Sequence, residues 1–244
     1  MSIKDSNIYD KIRRNDPYFE NMITRSIYHS NSIEGNTLSY AETYAIVFND
    51  NTIPVTAKPR ELYEAVNLKY AMNYILENLH EDINPGMVKH IGVLINKNID
   101  EIEGFRKEPV FIKGAEHIPP DAAYVPELVS QLLYEYRNDK RDFFEKMADF
   151  HLRFERIHPF KDGNGRTGRI LLTKEFLASG YAPVVIPIED RALYMNMLAD
   201  QNVNKLASYF EKLNTEEETT MNKYGINLES TAAATLISKV RRSR

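Results

Sequence analysis

The stretch from His158 to Arg169, His-Pro-Phe-Lys-Asp-Gly-Asn-Gly-Arg-Thr-Gly-Arg, gathers an imidazole, a carboxylate, flexible glycines and two guanidinium groups. His158 is a proton acceptor suited to neutral pH. Asp162 offers the hard oxygen that magnesium takes where it bridges phosphates. Gly163 and Gly165 permit a tight turn whose bare amides can cradle an anion. A helix is expected to open near Asn164 or Gly165, because Ile170, Leu171, Thr173, Lys174 and Leu177 form a workable inward face. Its first amides and positive dipole end would then face the same spot. Arg166 and Arg169 share a face of that first turn, placed to grip phosphate oxygens in bidentate fashion. A structural turn beside a structural histidine would use the same letters, and spacing alone leaves both readings open. Two arginines at a helix start do oppose the helix dipole unless an anion compensates, which favours an anion site.

The elements around this stretch must position it. Pro159 disfavours helical geometry at the residue before it, so His158 should end the preceding helix. That helix is expected from roughly Asp142, with Phe143, Met147, Phe150, Phe154 and Ile157 as its buried stripe. His151 precedes His158 on the same helix, but Pro159 turns the chain away, so a two-histidine metal site is not expected. Earlier in the chain, residues 1–15 read as a loose polar lead-in. Asp16-Pro17 then opens a helix with Phe19, Met22, Ile23 and Ile27 inward, ending near Gly35. Ser39 and Glu42 make a capping box for a helix to about Phe48. Lys58-Pro59 and Asn84-Pro85 open two more, the first reaching about Leu79. Helical periodicity disappears between about 98 and 126, where Gly104-Phe105-Arg106 and Val110-Phe111-Ile112-Lys113-Gly114 suggest a strand and turn. Pro126 opens the next helix, Asp190-Arg191 another, and 203–213 a further one. His80, His90 and His117 carry no expected chemistry, and a last helix over 232–240 is an open option.

Composition narrows the classes. The 244 residues carry a formal charge of −4 and 43% hydrophobic residues, enough for a sizeable core and without a strong basic field for nucleic acid. There is no cysteine, so disulfides, thiol nucleophiles and Cys-ligated zinc are excluded. The N-terminus has no apolar signal core and no run suits a bilayer, so the expectation is a cytoplasmic protein without membrane partners.

The 158–169 stretch matches, residue for residue, the His-x-Phe-x-(Asp/Glu)-Gly-Asn-Gly-Arg-x-x-Arg signature, and so resembles the Fic-domain family. The resemblance implies an all-α fold, a Fic-type helical bundle with a small β-hairpin flap beside the active site. It implies a division into an N-terminal segment with an inhibitory helix at 1–57, a Fic core at 58–214 and a C-terminal tail or helix at 215–244. The implied activity is transfer of AMP from ATP to a Ser, Thr or Tyr hydroxyl of a target protein, or of the chain itself. His158 would be the base and Asp162 the ligand of Mg2+ or Mn2+. Gly163, Asn164, Gly165, Arg166 and Arg169 would hold the phosphates, with Pro159 and Phe160 structural.

Three further assignments rest on the same resemblance. Ser30, Glu34 and Gly35 are similar to the family's (Ser/Thr)-x-x-x-Glu-(Gly/Asn) inhibitory motif, in which Glu34 would pair with Arg169 and exclude the γ-phosphate. Tyr194 and Asn202 would line the base pocket. Val110, Phe111, Ile112, Lys113 and Gly114 would form the flap that aligns a target's backbone by strand addition. Alternatives are removal of AMP with Glu34 orienting water, a bifunctional enzyme doing both, or a non-catalytic nucleotide-sensing module. Oligomerisation is possible, and DNA binding by the basic tail is a distant option.

Overall fold

The computed structural model describes residues 7–112 and 116–228, and among these the regular structure is helical, with no strand. Ten α-helices follow in order: α1 (Asn7–Arg13), α2 (Asp16–Ile33), α3 (Tyr40–Phe48), α4 (Pro59–Glu77), α5 (Pro85–Asn96), α6 (Val125–Asn138), α7 (Phe143–Ile157), α8 (Asn164–Ala178), α9 (Arg191–Asp200) and α10 (Val203–Lys223). Short 3-10 turns lead into α6 and α9. No helix is long and apolar enough to cross a membrane among the described residues.

Local chemistry explains the starts. Ser39 accepts from the Glu42 amide while Glu42 accepts from the Ser39 amide, the expected capping box. Asn84 caps α5 through the Met87 amide, and Asp142 caps α7 through the Phe144 amide. Tertiary packing then selects the faces. Helices α4, α5 and α8 pack on one another, α7 lies against α8, α6 and α10, and α2 lies across α3, α4 and α8. The α7 stripe is buried at Met147, Phe150, Phe154 and Ile157, each worth roughly 1.5–3 kcal/mol by the usual transfer range. That anchored stripe fixes the end of α7, and with it His158.

The fold differs from the sequence expectation at three places. Residues 7–13 are helical rather than loose, because Ile8 and Ile12 are drawn into the core. Two apolar residues in a single short helix give too little periodicity to read. Helix α10 runs to Lys223, past the expected 213, since Glu217 and Met221 are buried against the rest of the chain. The hairpin flap is not formed among the described residues: Val110, Phe111 and Ile112 carry no regular structure, and Lys113 and Gly114 lie outside them. Pro109, Pro119 and Pro120 remove backbone donors that a ladder there would need. The option of a helix over 232–240 also lies outside the described residues.

One contact beneath the motif depends on a missing side chain. Phe160 is fully buried, and a Cβ at Gly92 of α5 would lie 2.4 Å from its ring carbons. Gly92→Ala is therefore expected to overpack this seam and cost about 1–3 kcal/mol. A lower urea midpoint with an unchanged slope would show it, and an unchanged midpoint would refute the tight seam.

Candidate active site

His158 follows the last turn of α7 with φ 49° and ψ 62°, a left-handed conformation that histidine tolerates better than most residues. Its Nδ1 lies 3.2 Å from the Glu155 carbonyl. A carbonyl only accepts, so Nδ1 carries the proton and Nε2 keeps the lone pair. Burial lowers the pKa of this imidazole; the Glu155 carbonyl opposes the shift and the nearby Arg106 charge adds to it. His158 is thus neutral at neutral pH, as a proton acceptor must be.

Arg106, which sequence reasoning passed over, holds the backbone that carries His158. Its Nε donates to the His158 carbonyl at 2.8 Å, Nη1 to Glu108 at 3.1 Å and Nη2 to Pro120 at 2.6 Å. Its own amide donates to Pro159 at 2.9 Å. A guanidinium has five fixed donors and suits this clamp better than an ammonium. A lone buried arginine has no periodic signature, and its acceptors at Pro120 and His158 lie 14 and 52 residues along the chain.

After His158 the loop turns inward and is closed by Asn164. The Asn164 side chain accepts from the Phe160 amide at 2.8 Å and donates to the Phe160 carbonyl at 2.9 Å. So Asn164 contributes loop shape with its side chain, leaving only its amide for an anion. Gly163 precedes α8 with φ 79°, and no side chain caps the helix start. An uncapped N-terminus is the arrangement that receives anions. The expected inward face of α8 is confirmed: Ile170, Leu171, Thr173, Lys174 and Leu177 are all buried.

The two motif arginines have different surroundings. Arg166 is only 2% exposed, with Nη2 at 3.2 Å from Asp162 Oδ1 and Nη1 at 3.3 Å from Glu64 Oε1. Its Nε and Nη1 make no hydrogen bond in this conformation. In this conformation Nη2 backs Asp162, which leaves those two buried donors without an acceptor. Arg169 donates from Nε to Ser30 Oγ at 2.9 Å, and from Nη2 to the Ser30 carbonyl at 3.0 Å and Glu34 Oε1 at 2.6 Å. Burial works against this cation, and Glu34, Tyr194 and Glu155 together more than offset it, keeping Arg169 charged. Glu34 also lies against the α8 N-terminus: a Cβ on Gly165 would come 2.4 Å from its Oε1. A carboxylate thus stands where an anion was expected, and Gly165 leaves the space for it.

Asp162 accepts from the Gly163 amide at 2.6 Å and from Arg60 Nη2 at 2.5 Å. Burial would raise its pKa, but Arg166, the Gly163 amide and Arg60 together lower it, so the carboxylate is ionised. No group of three or more His, Cys, Asp or Glu could hold a metal among the described residues. One ionised, partly exposed carboxylate does fit magnesium, which commonly takes one or two carboxylates and completes its shell with phosphate and water.

Beneath the site, Tyr194 is fully buried, with its hydroxyl 2.6 Å from His151 Nε2. It offers no surface to a nucleotide base in this conformation, because His151 draws the hydroxyl inward. Burial and the Arg169 charge push the His151 pKa down to about 3, so this histidine is neutral. Glu155 is pushed up to about 7 by burial, against the pull of Arg169 and with the help of Glu34. Asn202 is exposed and caps α10 through the Lys205 amide at 3.0 Å. His117 ties to Arg156 at the surface, and His80 and His90 are exposed.

Comparison with known proteins agrees with this geometry. Residues 73–175 match the model of the Fic/DOC family. A protein adenylyltransferase fic-1 of Caenorhabditis elegans is 30% identical over 206 residues, covering 81% of this chain and 40% of the relative. A protein adenylyltransferase Fic of Aedes aegypti is 30% identical over 233 residues, covering 91% and 45%. The chain therefore spans less than half the length of these relatives. Among solved structures, Fic-1 from C. elegans superposes with a TM-score of 0.69 at 27% identity, covering 88% of this chain and 64% of that one. A Fic domain containing signaling protein from Bacteroides thetaiotaomicron gives 0.71 at 21% identity, covering 84% and 86%, and supports the fold alone. With the signature residues gathered at the junction of α7 and α8 and relatives matching across most of its length, the chain belongs to the Fic/DOC family.

Proposed function

We propose that the chain is a protein adenylyltransferase that moves AMP from ATP to a Ser, Thr or Tyr hydroxyl of a protein, held in check by Glu34. The observation that carries this reading is the convergence of a neutral His158, an ionised Asp162 and Arg169 around the uncapped start of α8. His158 Nε2 takes the hydroxyl proton as that oxygen bonds to the α-phosphorus, and the bond to the β-phosphate oxygen breaks to release pyrophosphate. The α8 amides and Arg169 stabilise the charge that grows on the leaving group. Arg166 acts from behind Asp162, adding positive field and holding the carboxylate in place. Asp162 is the residue that would hold Mg2+ or Mn2+, which when bound neutralises phosphate charge. Asn202 and the 110–114 segment are the proposed base and target contacts.

The 57/58 boundary, a cytoplasmic location and a hydroxyl-bearing protein partner belong to the same reading, whereas the expected 214/215 boundary falls inside α10. It is tested by incubating the chain with α-labelled ATP, Mg2+ and a cell lysate. Label should appear on protein bands with the mass shift of AMP. Asp162→Ala should raise the metal concentration needed for transfer. Labelling that persists with γ-labelled but not α-labelled ATP would overturn the reading.

A further inference from the structure

The two arginines that hold Asp162 differ in kind. Arg166 approaches Oδ1 from inside the fold and is 2% exposed, whereas Arg60, in the first turn of α4, has 57% of its side chain exposed. Oδ1 is already taken by the Gly163 amide and Arg166, so Oδ2 is the oxygen left for a cation, and Arg60 Nη2 holds it at 2.5 Å. Arg60 is also tethered, its Nε donating to Glu64 Oε1 at 3.0 Å. Glu64 is fixed: it is buried, 3.3 Å from Arg166, and its Oε2 accepts from Asn36 at 2.8 Å. The terminal nitrogen of Arg60 can therefore leave Asp162 for solvent while its Nε stays on Glu64. No buried charge loses its partner in that motion, so the usual penalty of breaking a buried pair does not apply.

We infer that Arg60 is a displaceable guanidinium that competes with a divalent cation for the outer oxygen of Asp162, with Glu64 as the anchor that keeps it within reach. This rests on the reading of Asp162 as the cation ligand. Arg60 occupies one of the two acceptor sites of Oδ2, and its positive charge beside that oxygen repels an incoming cation. Arg60 thus sets the metal concentration at which the site accepts its nucleotide. Glu64 also links this competition to Asn36, two residues after Glu34, so one buried carboxylate touches both the cation ligand's guard and the segment that blocks Arg169.

The test is calorimetric binding of ATP to the full chain over a series of Mn2+ concentrations. It is done in the Glu34→Gly background, so that the Glu34–Arg169 pair does not mask nucleotide binding. With Arg60→Gln added, half-saturation should need about two- to fivefold less Mn2+, the range expected for losing a half-exposed ion pair. ATP affinity at saturating Mn2+ should stay unchanged. An unaltered Mn2+ requirement would overturn the proposal. So would an increased one, which would make Arg60 a phosphate contact. Asp162→Ala serves as the control on the underlying reading: it should raise the Mn2+ requirement strongly, and no change there would remove Asp162 as ligand whatever Arg60 does.

Discussion

His158→Ala is expected to lower the proposed AMP transfer by about 10²–10⁴-fold, the usual contribution of a positioned general base. The loss should fall on kcat, because in the proposed reaction the imidazole acts on the proton of the attacking hydroxyl and not on nucleotide binding. Alanine also relaxes the backbone at φ 49° only by leaving the left-handed region. The accompanying control is therefore His158→Asn, which tolerates that conformation but cannot act as a base. Both variants should lose activity while ATP binding survives, and full activity in His158→Asn would remove the imidazole from the reaction. The pH profile gives an independent check. Burial lowers the His158 pKa, so the proton-accepting form predominates down to below the ordinary histidine value of about 6.5. The rate should therefore hold constant across neutral pH and fall only under acid conditions. A rate that climbs steadily between pH 7 and 9 would mean another base.

Glu34→Gly is expected to raise ATP affinity and transfer together. The Glu34 Oε1 contact with Arg169 Nη2 is 2.6 Å long and joins two charged groups. Charge-assisted contacts contribute roughly 1.5–3 kcal/mol, so removing this competitor should tighten ATP binding roughly 10- to 100-fold. The same change takes the Glu34 carboxylate from Arg169, which is 7% exposed and keeps Ser30 as an acceptor. The variant should melt earlier than the parent without nucleotide and recover when ATP and Mg2+ are added, since a ligand that binds only the folded state stabilises it. Equal melting with and without ATP, and unchanged transfer, would refute a blocking role. If Glu34 instead orients water for AMP removal, Glu34→Gly should lose release of AMP from a pre-modified target.

The amino-acid sequence by itself determined the helical class, most helix starts and the twelve-residue stretch at the centre of the site. These features are local: a capping oxygen, a proline at the first helical position or a stripe at 3.6-residue spacing acts within a few residues. The motif is equally local, with its glycines and its histidine before proline adjacent in the chain, which is why the His158 and α8 positions were legible. Tertiary structure alone decided which charges meet. Arg106 reaching Pro120 and His158, Arg166 beside Glu64, and Ser30 beneath Arg169 are pairs whose partners lie far apart in sequence. It also decided that Arg166 is buried, that the Asn164 side chain closes a loop and that Tyr194 turns inward to His151. A charged or amide side chain carries no periodicity to announce its partner. Its role emerges only when packing removes water and every buried donor must find an acceptor within reach.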